Sequence, residues 1–202
     1  MKYPEQLKNT TIESTLIISQ TPEPEVTTES MNMIQSAIFN STFAPTIKES
    51  YTQVDLKQQL FDEFKKIQPD VQKYVKIIVD DAKAKNISLT ATSAPEEEAK
   101  GNPYYENLNC KDIQDKIKTK YVLYIKILKW GYSGGYGSFI NFYASIHECE
   151  TGKMIWGEYS DSKENAILFS NTGFTKEKAI ERLKPTLEKV SSLVIKKIHE
   201  KG

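Results

Sequence analysis

A serine in a glycine-rich segment comes closest to a catalytic pattern in this chain. Gly131-Tyr-Ser133-Gly-Gly135 matches Gly-x-Ser-x-Gly, the nucleophile elbow in which a strained turn between a strand and a helix exposes the serine. The segment from Ser138 to His147 alternates apolar and polar residues with a period of two, which predicts a strand and not a helix. The sequence therefore predicts a hairpin loop around Ser133 and no catalytic residue.

The two cysteines are the other residues that could do chemistry, and a hydrolase that uses Ser133 or Cys110 is the first alternative function. His147 and Cys149 lie on one side of a predicted strand. Because a structural zinc site usually has four ligands, this pair predicts no metal, and we expect no cofactor. Cys110 is predicted near the far end of the strand that starts beside Cys149. Since a disulfide needs Cα atoms within about 7 Å, we expect two free thiols; if that placement is wrong, an oxidised pair would indicate export.

A nucleic-acid site is the second alternative. Gly135-Tyr-Gly-Ser-Phe-Ile-Asn-Phe142 resembles the aromatic strand of the RNA-recognition motif. On a regular strand, however, the inserted Ser138 puts Tyr136 and Phe139 on opposite faces, whereas base stacking needs both rings on one face. The chain has 27 basic and 27 acidic residues, so no global field attracts nucleic acid. We therefore keep a single-stranded nucleic-acid binding module as an alternative and expect no nucleic-acid partner.

A protein contact region is the site that the sequence favours. Aromatic residues in and beside the glycine-rich loop are expected to be partly exposed, and exposed aromatic groups are typical of protein interfaces. Lysines gather around the neighbouring strand and form either a solvated face or a local site for an acidic partner. The predicted binding residues are Trp130, Tyr132, Tyr136, Lys126 and Lys129.

The elements that must position this region are most clearly predicted in the second half of the chain. Alternation over residues 121–130, 138–147 and 154–159 predicts three antiparallel strands, with a tight turn at residues 150–153. A long amphipathic helix follows Phe174 and contains Pro185. The predicted fold class is α/β (α+β), a mixed sheet with a C-terminal antiparallel three-stranded meander, covered by helices.

The first half of the chain is predicted to add one strand and several helices. Residues 15–19 read as a strand, and a helix from Ser30 is expected to bury four apolar residues, namely Met33, Ile34, Ala37 and Ile38. Apolar spacing predicts further helices over 56–67 and over 71–82, the latter capped by Asp70, and a short one over 111–119; 87–92 reads as a strand. We expect a flexible arm at 1–14 and one domain over 15–202 with a surface loop at 93–109.

Targeting signals are absent from the sequence as given. No run of about 18 apolar residues exists, and the first residues lack the apolar segment of a signal peptide. Two expectations follow: a cytoplasmic protein, or a mature form whose targeting segment was removed.

The order of elements in residues 110–200 resembles a known group of bacterial proteins. Lys120-Tyr-Val-Leu-Tyr-Ile-Lys-Ile127, a glycine-containing loop, a strand and Glu148-Cys-Glu-Thr-Gly-Lys-Met-Ile-Trp156 are similar to the second half of the α/β domain of the TolB amino-terminal domain, the CsgG-like proteins and related envelope lipoproteins. Residues 20–30 and the helical stretch 53–85 depart from that pattern. The resemblance implies a non-catalytic accessory or scaffold protein in the periplasm that binds an envelope protein partner. It also implies outer-membrane anchoring through a lipid upstream of the given chain.

Overall fold

A mixed sheet forms the centre of the molecule. The computed structural model describes residues 11–67, 75–80, 84, 87, 89–92, 102–110, 113, 116–117, 119–164 and 175–201. The main sheet runs in the order β3-β1-β6-β7-β8, with β2 also paired to β6. Its first strands are β1 (Ile12–Ile18), β2 (Glu25–Thr27) and β3 (Val75–Ile78), and the meander consists of β6 (Tyr121–Ser133), β7 (Gly137–Glu148) and β8 (Met154–Lys163). The predicted mixed α/β class is confirmed.

Strand β6 is the longest strand, and its two edges have different neighbours. One edge pairs in parallel first with β1 and then with β2, and the other pairs antiparallel with β7. Between β1 and β2 the chain leaves the edge at Pro22 and Pro24, because proline has no N–H to give to a ladder. The predicted arm at 1–14 is too long, since β1 already begins at Ile12.

In the described part of the chain, four helices pack with the sheet: α1 (Met33–Thr42), α2 (Ala44–Thr52), α3 (Leu56–Lys65) and α4 (Lys176–Lys201). The terminal helix α4 lies on β7 and β8 and also contacts α2 and α3. Its buried stripe includes Leu183, Leu187, Val190, Val194 and Ile198, as the sequence spacing predicted. Pro185 lies inside this helix.

The opposite side of the meander is covered by a segment that the sequence assigned to a surface loop. Within residues 93–109, Asn107–Asn109 forms strand β5, which pairs antiparallel with β4 (Thr90–Thr92). Leu108 is buried, and Tyr104 stacks on Tyr159 with ring centroids 5.6 Å apart. Both faces of β7 are consequently buried, and the loop prediction is wrong for the described residues 102–109.

A second correction concerns the helix predicted over 71–82. Val75–Ile78 instead forms β3, which pairs in parallel with β1. A short run rich in Val and Ile fits a buried strand as well as a helix segment, so apolar spacing alone does not separate the two. Residues 70–74 and 81–83, with the predicted Asp70 cap, lie outside the described residues, as does most of the predicted helix over 111–119. Among the helices that the structure describes, none combines the length and hydropathy that a bilayer span requires.

Candidate functional site

The predicted contact residues lie on β6 and in the turn that follows it, but they do not share one surface. Trp130 and Tyr132 are only 2% and 4% exposed, so the expectation that these two rings are exposed on a loop is wrong. The physical reason is that β6 continues through Ser133, which leaves both rings under the helices. Tyr136 and Lys126 are half-buried, and Lys129 is exposed.

Trp130 and Tyr132 anchor the first helices to the sheet. The Trp130 indole Nε1 donates a hydrogen bond of 2.6 Å to the Pro22 carbonyl oxygen, and its ring lies 5.9 Å from that of Tyr51 in α2. The Tyr132 ring lies 6.4 Å from Phe39 of α1 and 6.0 Å from Tyr51. Such ring pairs stabilise a fold by more than the burial of their apolar area alone would. The aromatic residues that the sequence singled out therefore position α1 and α2.

Tyr51 connects this aromatic cluster to a buried polar group on β7. Its hydroxyl lies 2.6 Å from Ser138 Oγ, and burial raises the pKa of Tyr51 well above its ordinary value. The Ser138 N–H donates to Glu164 Oε2 over 3.2 Å. Glu164 also pairs with Arg182 of α4 at 3.5 Å. The sole arginine of the chain is thus engaged in an internal ion pair that joins α4 to the end of β8.

The glycine loop, residues 133–137, is fastened to the connection between β2 and α1. Ser133 Oγ donates to the Glu29 carbonyl oxygen at 3.1 Å and accepts from Gly135 N at 3.2 Å. Gly134 N donates to the Thr27 carbonyl oxygen at 3.0 Å. The Tyr136 hydroxyl donates to Glu29 Oε2 at 2.8 Å, and burial, together with this bond to Glu29, raises the pKa of Tyr136. The loop therefore holds the start of α1 in place.

Ser133 has no contact with an imidazole. It is fully buried, and its register partner on β7 is Gly137, whereas His147 pairs with Val122 at the other end of β6. Eleven residues of strand separate the two positions, roughly 36 Å at 3.3 Å per residue. The other histidine, His199, lies in a groove with Glu63 and Lys66. In the folded structure, the Ser133 hydroxyl makes hydrogen bonds to the backbone of Glu29 and Gly135.

Gly131 is required where β2 joins β6. Its φ of +146° is one that L side chains rarely adopt, and a Cβ there would collide with the Glu25 backbone. Glu25 and Gly131 are register partners. The close approach of β2 to β6 thus depends on the absence of a side chain at this position.

Helix α1 presents an apolar surface that the sequence analysis expected to be buried. Met33, Ile34 and Ile38 are 86%, 73% and 52% exposed, and Ala37 is exposed beside them. The expectation is wrong because α1 turns Phe39, its one buried residue, toward Tyr132. We call the four exposed residues the α1 face.

The α1 face is uncharged as well as apolar. No acidic or basic residue occurs between Glu29 and Lys48, so neither the helix nor its flanks carry a charge. The Asn32 side chain caps α1 by accepting from Gln35 N at 2.9 Å, and Gln35 Oε1 accepts in turn from Asn32 N. This capping box fixes the start of the helix. Within the part of the chain that the structure describes, this apolar surface is exposed to solvent.

The predicted lysines are paired within the chain and lie apart from the buried rings. Lys126 Nζ donates to both carboxylate oxygens of Glu106, at 3.1 and 2.9 Å, on the side of the sheet covered by residues 102–109. Lys129 lies 3.8 Å from Glu25, and Lys120 lies 2.8 Å from Glu148. These acidic neighbours offset the local positive charge that the sequence suggested.

The ring arrangement expected for Tyr136 and Phe139 is also different. Their centroids lie 6.0 Å apart with the planes at 70°, because Tyr136 lies in the turn before β7, where strand alternation does not apply. Phe139 is buried, and Lys163 Nζ lies 4.8 Å from the centre of the Tyr136 ring. The rings meet, but only Tyr136 reaches the surface.

Comparison with known proteins yields structural likenesses only. No family model and no curated protein matches the chain. The solved structures that resemble it include a hypothetical protein, CT253, from Chlamydia trachomatis, with 10% identity and a TM-score of 0.42 over 91% of this chain and 96% of that one. Lipoprotein GNA1162 from Neisseria meningitidis shares 13% identity, with a TM-score of 0.33 over 93% and 99% of the two chains. The PelC dodecamer subunit from Paraburkholderia phytofirmans shares 10%, with a TM-score of 0.35 over 95% and 94%. Likenesses at this level assign no family.

Proposed function

We propose that the protein is a non-catalytic accessory or scaffold protein of the bacterial cell envelope, and that it binds a protein partner through the α1 face. The single observation that carries the binding proposal is the exposure of Met33, Ile34 and Ile38 on one helix. Contiguous apolar side chains in water are typical of interaction sites. The envelope location rests on the similarity of residues 110–200 to the TolB and CsgG-like group.

The chemistry of the α1 face defines the partner. Because residues 30–47 carry no charge, burial of the α1 face against another protein requires no desolvation of ions. A partner surface that is itself apolar and uncharged fits best, since a charged surface would lose hydration without gaining an ion pair. Tyr136 adjoins this region through its bond to Glu29 and belongs to the proposed rim, whereas Lys126 and Lys129 are paired with Glu106 and Glu25 elsewhere.

The proposal is tested by photo-crosslinking in the native bacterium. A photoreactive amino acid at position 38 of the full-length gene product should yield a covalent protein adduct on illumination, whereas the same group at Lys184, which is exposed on α4, should not. Mass spectrometry then identifies the adduct. A second copy of this chain would be an acceptable partner, whereas adducts with lipid alone, or equal yields at both positions, would overturn the proposal.

A matched pair of variants tests whether the apolar character matters. With the photoreactive group at Ala37, Ile38→Asp should abolish the adduct because it puts a charge into the proposed interface. Asn40→Asp adds the same charge at an exposed polar position of the same helix and should leave the yield unchanged. Fractionation of the unmodified protein tests the location separately: recovery only in the cytoplasm would refute the envelope part.

A further inference from the structure

Cys110 and Cys149 lie together, contrary to the separation that the sequence predicted. Leu108 N donates to the Gly152 carbonyl oxygen at 3.0 Å, which docks β5 on the turn between β7 and β8. The same turn is closed by a bond of 2.8 Å from Gly152 N to the Glu148 carbonyl oxygen. Gly152 has a φ of +72°, and a side chain there would press against Leu108. Two residues beyond Leu108, the chain places Cys110 beside Cys149.

The two thiols share one buried site. They are hydrogen-bonded to each other, they are 1% and 2% exposed, and both belong to the hydrophobic core. This bond lowers the pKa of the Cys110 thiol, and together with burial it raises the pKa of the Cys149 thiol. A substrate cannot reach either thiol in this buried site, which does not favour Cys110 as the nucleophile of a hydrolase.

We propose that this site is a covalent modification site: Cys110 and Cys149 form an intramolecular disulfide when the chain folds in the presence of a disulfide oxidant. The thiols are free in this structure, yet β5 and the turn already hold them against each other, and no redox metal or catalytic base is needed. The bond would tie the segment over one face of the meander to the turn at its end.

The chemistry is thiol–disulfide exchange with a small-molecule or protein disulfide as the oxidant. The thiolate of one cysteine attacks the oxidant, which forms a mixed disulfide and releases one thiolate. The second cysteine then attacks the sulfur of the first, which forms the Cys110–Cys149 bond and releases the other thiolate. The two cysteines are oxidised, the oxidant disulfide is reduced to two thiols, and these take up the two protons.

The burial of both sulfurs dictates when the exchange occurs. An oxidant cannot reach either thiol while β5 is docked, so the bond must form during folding or on local opening of this region. Folding the chain in the presence of the oxidant is therefore the relevant experiment, and treating the native reduced protein should oxidise it slowly.

The test refolds denatured full-length protein in a buffer of reduced and oxidised glutathione, quenches with acid, and alkylates with N-ethylmaleimide in denaturant so that buried thiols also react. We expect an intact mass with no alkyl group and no glutathione adduct, and a proteolytic fragment that links Cys110 to Cys149. Cys110→Ala and Cys149→Ala should each retain one modifiable thiol. Because the bond closes a loop of about 40 residues, the oxidised protein should melt roughly 10 °C above the reduced protein.

Two results would overturn the inference: refolded protein in which both thiols remain open to alkylation, or a disulfide form that melts below the reduced form. Acid-quenched alkylation of the protein from its native bacterium separates this inference from the proposed function. If the link forms in glutathione but the cellular protein is fully reduced, the envelope location fails, because that compartment is oxidising, while the disulfide site stands.

Discussion

The rings of Phe39 and Tyr132 are stacked, with centroids 6.4 Å apart and planes 13° from parallel. This contact joins α1 to β6 and sets the rotation of the helix about its axis. Since successive residues of a helix point in different directions, turning Phe39 inward turns Met33, Ile34 and Ile38 outward. The exposure of the α1 face therefore follows from the packing of the Phe39 ring on Tyr132.

Phe39→Ala should lower the free energy of unfolding by about 3 kcal/mol, because it removes a buried ring and leaves a cavity under α1. Ile38→Asp should change it by less than about 0.5 kcal/mol, since the exposed side chain loses little on substitution. Urea denaturation of the isolated protein measures both values. A loss above about 2 kcal/mol for Ile38→Asp would mean that the α1 face is already covered within the chain.

Stability should decrease in mild acid because of His147. Burial lowers the pKa of His147 to about 4, from about 6.5 in an unfolded chain. The unfolded state therefore binds the proton first, so the stabilisation by neutral His147 is complete above pH 6.5 and is lost as the pH falls toward 4. The total loss is about 3 kcal/mol, with a slope approaching about 1.4 kcal/mol per pH unit.

The neighbours of His147 favour the neutral ring. Nδ1 lies 3.4 Å from the Gly152 carbonyl oxygen and Nε2 lies 2.8 Å from Ser145 Oγ. A neutral ring that donates from Nδ1 and accepts at Nε2 makes both hydrogen bonds. The bond to Lys120 lowers the pKa of Glu148, so its stabilising effect is lost only at lower pH. Urea denaturation between pH 7 and 5 should give a smaller slope for His147→Gln than for wild type; equal slopes would contradict this assignment.

Gly131→Ala should cost more than about 1 kcal/mol, because the new methyl group meets the Glu25 backbone at a φ unfavourable to alanine. Amide hydrogen exchange in β2 should also become faster, because the substitution weakens the pairing of β2 with β6. A variant with wild-type stability and unchanged exchange at Val26 would show that the two strands do not approach this closely.

Ser133→Ala should cost about 1 kcal/mol of unfolding free energy, since it removes one hydrogen bond within the glycine loop and one to the Glu29 carbonyl oxygen. It should change no ester or thioester turnover, and neither should Cys110→Ala. A screen with both substrate classes on purified wild type and the two variants makes the comparison. Turnover by the wild type that is lost in either variant would favour the hydrolase alternative.

The sequence predicts the second half of the fold well because its signals there are local. Alternation identifies β6, β7 and β8, and the stripe of Leu183, Leu187 and Val190 identifies α4. Val75–Ile78 was misassigned because four residues with Val and Ile fit either period, and only the neighbouring β1 selects the strand. Residues 102–109 carry no periodicity, yet Tyr104 and Leu108 dock on the far face of the sheet through contacts distant in sequence.

The sequence predicts where in the chain the candidate site lies, but it does not predict which of its side chains are exposed. Trp130, Tyr132 and Tyr136 do lie where the first helices meet the sheet, yet two of them are interior because β6 is longer than its alternation suggests. The sequence does not predict the α1 face, because Ile34 and Ile38 lie on one side of the helix and Phe39 on another. When both sides are apolar, the spacing of the residues does not show which side is buried. A run from Ser30 to Ile47 without any charge was the available signal.

The position of β1 between β3 and β6 has a consequence for biosynthesis. Strand β1 finds its partners about 60 and 110 residues later, so a nascent polypeptide holds Leu16, Ile17 and Ile18 unpaired until β6 has emerged. Long-range pairing of this kind slows folding. That delay exposes an apolar segment to chaperones, and it includes the interval in which Cys110 has emerged but Cys149, which follows β6, has not.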